Sequence, residues 1–179
     1  LRRLHDDMHI TSVFVTHDQE EALEVSDRVV VMNEGRIEQI GTPDAVYERP
    51  ANPFVYEFLG HVNLFHGRIH RGRAIISDIE IEAPEHAEAE NMAAIAYVRP
   101  HDIEVDRVKN GESALAAHII HIVSIGPVVR LELAHDDNAN KNLVQVEISK
   151  DRFRTLQLEK GDRVFVTPRK LDLFPAQLH

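Results

Sequence analysis

Cysteine and tryptophan are both missing from the 179 residues, and the remaining aromatics amount to 6%. Without cysteine there is no disulfide framework, no thiol nucleophile and no thiolate metal site. Basic residues are outnumbered, 20 Lys and Arg against 30 Asp and Glu, for a formal net charge of −10. That balance argues against a nucleic-acid binder, which needs a basic surface to displace counterions from phosphates. No apolar run approaches the roughly 20 residues that cross a bilayer as a helix. What is present is 43% hydrophobic residues, enough to bury a core in each of one or two small domains. Histidine is plentiful, at twelve.

The chain reads as starting inside a helix. Leu1, Leu4 and Met8 form one apolar stripe, Arg2, Arg3, Asp6 and Asp7 lie on the other faces, and no capping residue precedes them. Thr11-Ser12-Val13-Phe14-Val15-Thr16 is short and β-branched and predicts a buried strand ending at His17. Asp18 with Glu21 three residues on predicts a capping box, with Ala22, Leu23 and Val25 on the buried side of the helix. This is a piece of an α/β layer structure with one strand of its sheet. The runs 29–32 and 36–40 around Asn33-Glu34-Gly35 predict a hairpin. Thr42-Pro43 and Asn52-Pro53 each pair a capping residue with proline at the first helical position, which predicts helices over 43–48 and 53–59, the second stopped by Gly60.

From Asn63 onward short alternating runs are broken by turn residues about every ten positions, the pattern of an all-β barrel or sandwich. Strands are predicted near 63–70, 73–82, 93–99, 113–124, 128–133, 143–148 and 163–168, and the polar tract 135–142 as a hairpin loop. Ser149 caps a short helix before the Lys160-Gly161-Asp162 turn. Charge shifts along with the pattern, −7 over residues 1–60 and −3 over 61–179, so two domains, 1–60 and 61–179, are expected.

The sharpest chemical feature is His17. An ionisable side chain at the C-terminal end of a buried strand, just before a helix, sits where α/β folds bind ligands. A neutral imidazole there can donate to a phosphate oxygen from one nitrogen while backbone holds the other. Taken alone, a histidine that merely ends a strand is the commoner case. Asp18 suits helix capping, and Glu20, Glu21 and Glu24 suit a solvated helix face.

The surrounding residues carry more. Val15-Thr16-His17-Asp18-Gln19-Glu20-Glu21-Ala22, then Asp27-Arg28-Val29-Val30-Val31-Met32-Asn33-Glu34-Gly35-Arg36-Ile37 and Gly41-Thr42-Pro43, resemble the end of the nucleotide-binding domain of ABC transporters. The stretch 46–60 resembles the link to an extra C-terminal domain in importer ATPases. Tyr97-Val98-Arg99-Pro100-His101-Asp102-Ile103-Glu104-Val105 and the run 161–175 resemble the barrel-like regulatory module that follows. Phe58-Leu59-Gly60-His61-Val62-Asn63-Leu64-Phe65 and Pro168-Arg169-Lys170 are most similar to importers of the sulfate/thiosulfate type.

The resemblance implies an α+β chain: a truncated C-terminal piece of a P-loop α/β nucleotide-binding domain, then an all-β OB-like barrel of the TOBE type. It implies that His17 is the switch histidine, touching the γ-phosphate of ATP and keeping the attacking water and the Mg2+ site in register. It further implies a homodimer of ATPase subunits under two transmembrane permease subunits, at the cytoplasmic face of the inner membrane, with a periplasmic solute-binding protein acting indirectly. The phosphate-cradling Gly-x-x-x-x-Gly-Lys-Ser/Thr loop is not in the sequence. Nor are the family's glutamine loop, its Ser-Gly-Gly signature or the strand bearing the magnesium aspartate and catalytic glutamate. In that family all of them precede the switch histidine, so the chain alone is expected to neither bind ATP tightly nor hydrolyse it.

Other readings stay open at this point. The β part could act as a dimerisation or oxyanion-sensing module, or the importer could carry molybdate, iron or sugar. Arg99, rigidly presented before Pro100, could meet an oxyanion, although an ion pair inside the domain is the better expectation. Arg68, Arg71 and Arg73 suit a solvated hairpin tip. His66 and His70 share a strand face and His118 and His121 are expected on opposite faces, without the third converging ligand that zinc requires.

Overall fold

The computed structural model describes residues 11–76, 79–111, 114–135 and 143–176. The expected first helix over Leu1, Leu4 and Met8, and most of the expected 135–142 loop, lie outside them. Two compact units divide the chain, Leu1–Gly60 and His61–His179.

In the first unit, α1 (Gln19–Val25) is followed by β1 (Val29–Asn33) and β2 (Arg36–Gly41), then α2 (Pro43–Glu48) and α3 (Pro53–Phe58). The hairpin turn needs just two residues, Glu34 and Gly35, both at positive φ (47° and 77°). That backbone twist matches the twist of the flanking strands. Thr42 Oγ1 accepts the Ala45 N–H at 3.3 Å and Asn52 Oδ1 accepts the Val55 N–H at 2.9 Å, so both capping residues fill the role their sequence implies. Gln39 fastens the connection between the two helices, donating to Arg49 O at 2.9 Å and accepting from Ala51 N at 2.8 Å. The buried cluster is small: Val29, Val31, Val46, Val55 and Leu59.

The buried strand expected over 11–16 is not there. Val13 and Val15 are 86% and 95% exposed and the segment carries no strand pairing among the described residues. A β-branched run is a strand only where neighbouring strands accept its backbone, and none of the described strands flanks this one. The expected buried side of α1 is likewise no more than half-buried.

The second unit is built from two antiparallel five-stranded sheets. The first joins β3 (Asn63–His70), β4 (Arg73–Ile76), β5 (Ile79–Glu82), β6 (Met92–Val98) and β12 (Asp172–Pro175) in the order β12-β6-β3-β4-β5. The second joins β7 (Ile103–Asp106), β8 (Leu115–Ile125), β9 (Val128–His135), β10 (Val144–Ser149) and β11 (Arg163–Pro168) in the order β10-β9-β8-β11-β7. A helix, α4 (Lys150–Leu156), separates β10 from β11 and is capped by Ser149 Oγ, which accepts the Arg152 N–H at 3.1 Å. Alternate residues of both sheets, among them Val98, Ile103, Ile119, Leu131, Val146 and Val164, form one shared core.

Three strand expectations change. The single strand over 73–82 is a hairpin, β4 and β5, with Ile76 paired to Ile79. Strands β7 and β12, absent from the list of expected strands, are each four residues long. That length shows too few alternations to register as a pattern. They exist because β11 and β6 supply their hydrogen bonds.

Candidate functional site

His17 stands between two anchored neighbours. Asp18 is extended and its Oδ1 accepts the Glu21 N–H at 3.0 Å, closing the first turn of α1. Thr16 Oγ1 accepts the Asp18 N–H at 3.0 Å and gives its own hydrogen toward Glu21 Oε2 at 3.5 Å. The capping box expected between Asp18 and Glu21 therefore has its second half relayed through Thr16. His17 itself is exposed, and its imidazole has no hydrogen-bond or ion-pair partner among the described residues. The backbone on either side is anchored, and no described residue holds the ring. Such a group can contact an incoming ligand at small cost in protein bonds.

The polar groups of the second unit are mostly engaged with the fold. Asn63, 6% exposed, donates from Nδ2 to Gln145 O at 2.8 Å and accepts the Gln145 N–H on Oδ1 at 2.8 Å. Its amide thus imitates a β-bridge and ties β3 of one sheet to β10 of the other. The sequence marks Asn63 as nothing more than the start of a strand, because its partner is 82 residues away. Arg99 is 3% exposed, so it does not present its guanidinium to solvent for a diffusing oxyanion. The three hairpin arginines are each directed to a neighbour and converge on nothing. Arg73 pairs with Glu80 at 2.8 Å, Arg71 with Glu90 at 3.9 Å, and Arg68 donates to Asn91 O at 3.3 Å.

The histidine geometry corrects one expectation. A β-bulge at Ile120 lets His118 pair with Ala134 and His121 with Glu132, two residues apart on β9, so the two histidines share a face. One inserted residue reverses the alternation. Among the described residues no three His, Asp or Glu side chains come together as metal ligands would.

A cavity in the second unit holds about 20 Å³ and is lined by carbon: Phe65, Ile76, Val98, Ile103, Leu115 and Val166 are among its walls. A space of that size and polarity is a packing defect with room for about one water, not a site for an anion.

Comparison with known proteins adds to this geometry. The sequence profile described as the CysA C-terminal regulatory domain matches residues 63–105, and the TOBE-like domain matches 109–169. The sulfate/thiosulfate import ATP-binding protein CysA of Nitrosomonas europaea is 77% identical over 175 residues, covering 98% of this chain and 48% of that protein. The proteins of the same name in Bacillus cereus and Bordetella pertussis are 53% and 48% identical, again over 97% and 99% of this chain. The chain spans about half the length of the curated relatives it matches. Among solved structures, the cytoplasmic molybdate-binding protein ModG with molybdate bound superimposes with a TM-score of 0.51 at 12% identity, over 64% of this chain and 96% of that one. That likeness is of fold, and it makes the β part OB-like. No helix among the described residues is long and apolar enough to cross a membrane.

Proposed function

The chain belongs with the C-terminal halves of the sulfate/thiosulfate import ATP-binding proteins, and on that footing we propose that it is the C-terminal part of the ATP-hydrolysing subunit of a sulfate/thiosulfate ABC importer. The carrying observation is 77% identity along 98% of the chain. In the intact protein two such subunits form a dimer beneath two transmembrane permease subunits, at the cytoplasmic face of the inner membrane. A periplasmic binding protein delivers the solute. Residues 1–60 contribute the end of the nucleotide-binding domain and 61–179 a regulatory domain.

These residues do not fit ATP and Mg2+ by themselves. The sequence has no phosphate-cradling loop, and no cation-ligating cluster lies among the described residues. The chain alone accordingly neither hydrolyses ATP nor holds it tightly. What it supplies is one group, the His17 imidazole, held on an anchored backbone and exposed. Phosphoryl transfer depends chiefly on positioning and electrostatics, so a single well-placed hydrogen-bonding side chain matters.

The test uses the full-length protein. His17→Ala should leave nucleotide affinity within about twofold and lower ATP hydrolysis by about 100-fold or more, with loss of ATP-driven sulfate uptake. Normal coupled hydrolysis in that variant would remove His17 from the site. The reading of the β part as an oxyanion sensor has less behind it, since the ModG likeness is of fold, the cavity is apolar and Arg99 is buried. Calorimetry of the chain with sulfate, molybdate and phosphate decides it: absence of heat with all three ends that reading.

A further inference from the structure

The loop that leaves β7 is tied at its base and open beyond it. Asp106 Oδ2 accepts from Arg152 Nη2 of α4 at 3.0 Å, and Arg107 donates to the Leu156 and Gln157 carbonyls at the end of that helix. Residues 107–111 are nonetheless exposed. Asn110 turns back over the base, its Nδ2 donating to Asp106 Oδ2 at 3.3 Å. The same carboxylate oxygen thus receives both the amide and the guanidinium.

Asn110 is the one asparagine in the sequence that glycine follows. The backbone nitrogen after an asparagine can attack the side-chain carbonyl carbon and close a five-membered ring, and a side chain on that next residue hinders the approach. Gly111 offers no such hindrance, and even a Cβ built on it would meet nothing within 4 Å. Other asparagines are placed differently. Asn52 precedes Pro53, which has no N–H to lose, and Asn63 is 6% exposed with its amide bonded to Gln145. Asn33 and Asn91 are followed by the bulkier Glu34 and Met92.

We propose that Asn110 is a site of spontaneous covalent modification, deamidation through a succinimide, and that the product loosens the tie between β7 and α4. The Gly111 nitrogen gives its proton to solvent base and bonds to Asn110 Cγ. The Cγ–Nδ2 bond breaks, and the nitrogen takes a proton from water and leaves as ammonia. A water molecule then opens the ring at either carbonyl, which yields aspartate or isoaspartate at position 110. No electrons are exchanged and water is the one co-reactant. The new carboxylate has no hydrogen to give Asp106, and it sets a second negative charge beside the first. Two carboxylates then compete for Arg152, which also donates to Val105 O at 3.3 Å. The inference does not rest on His17 or on nucleotide.

Peptide mapping of the full-length native protein, held at mildly alkaline pH, tests the chemistry. The peptide containing residue 110 should gain about one dalton, as NH2 is replaced by OH, and isoaspartyl methyltransferase should label it. Its conversion should be at least about tenfold faster than at Asn33 or Asn91, and Gly111→Ala should slow it by about tenfold or more. Asn110→Asp makes one product directly and should speed amide exchange in α4 by about threefold or more. An Asn110 that stays intact while a synthetic peptide of the same sequence converts would overturn the proposal. Conversion indifferent to Gly111→Ala would do the same, and so would α4 amides that exchange alike in Asn110→Asp and wild type. None of these outcomes bears on ATP hydrolysis, so failure here and failure of the transporter reading are separable.

Discussion

Gly67 carries no chemistry, yet the fold leaves it no replacement. A Cβ at this position would lie 2.2 Å from the Ile75 carbonyl oxygen and 2.3 Å from Ile76 Cδ1. The isoleucine methyl could turn aside, but the carbonyl belongs to the β3–β4 ladder, where Gly67 is opposite Ile76. Gly67→Ala should therefore destabilise the second unit by at least about 2 kcal/mol, read as a lower denaturant midpoint at unchanged slope. Asn63 gives the same lesson for a polar group. Its two bonds to Gln145 satisfy a backbone N–H and C=O that the sheet pairing leaves over. His17 differs from both. The sequence places it at the end of a buried strand just before a helix; the helix start is there, the buried strand is not among the described residues, and the neighbours Thr16 and Asp18 are held by hydrogen bonds instead.

The end of α4 shows how an element is finished from afar. Gln157 turns into the left-handed region at φ 49°, leaving carbonyls without helical partners. Arg107 reaches them, donating from Nε to Leu156 O at 2.5 Å and from Nη2 to Gln157 O at 2.5 Å, and pairs with Asp162 Oδ2 at 2.6 Å. Asp162 also accepts the Glu159 N–H at 2.9 Å. That backbone bond first, and the guanidinium second, hold its carboxyl below the ordinary value of 3.8. A carboxyl depressed in the folded state contributes stability above its unfolded pKa and loses it as pH falls through the folded one. Asp162→Asn should thus lower the melting temperature at neutral pH and flatten its decline below about pH 4. An unchanged acid limb in the variant would show that Asp162 does not couple folding to protons. The Lys160-Gly161-Asp162 turn is visible locally, whereas Arg107 lies 55 residues away and has no local signature.

At the scale of the whole chain the two units differ in how much they bury. The first closes around Val29, Val31, Val46, Val55 and Leu59, while the second encloses a core reaching across both sheets, with Leu131, Leu133, Ile119 and Val164 fully buried. Stability within a chain follows local burial. Amides of β1 and β2 should exchange with solvent at least about tenfold faster than those of β8 and β9 under native conditions. Equal protection would mean that the small unit draws its stability from elsewhere.

The sequence by itself determined the features whose causes are local: the β1–β2 turn, the capped starts of α1 to α4, and the long strands β3, β8, β9 and β11. For the turn and the caps the residues that satisfy the backbone lie within a few positions of one another, and each of these strands is long enough for its alternation to show, although its hydrogen-bond partners are distant. The tertiary structure alone decided which strands are neighbours. It split 73–82 into two strands, added β7 and β12, set β11 between β7 and β8, bridged the sheets through Asn63 and, among the described residues, left 11–16 without a strand partner. A strand is completed by partners whose distance along the chain leaves no mark on the strand itself, and for that reason hydrogen-bond neighbours, not propensity, fixed these outcomes.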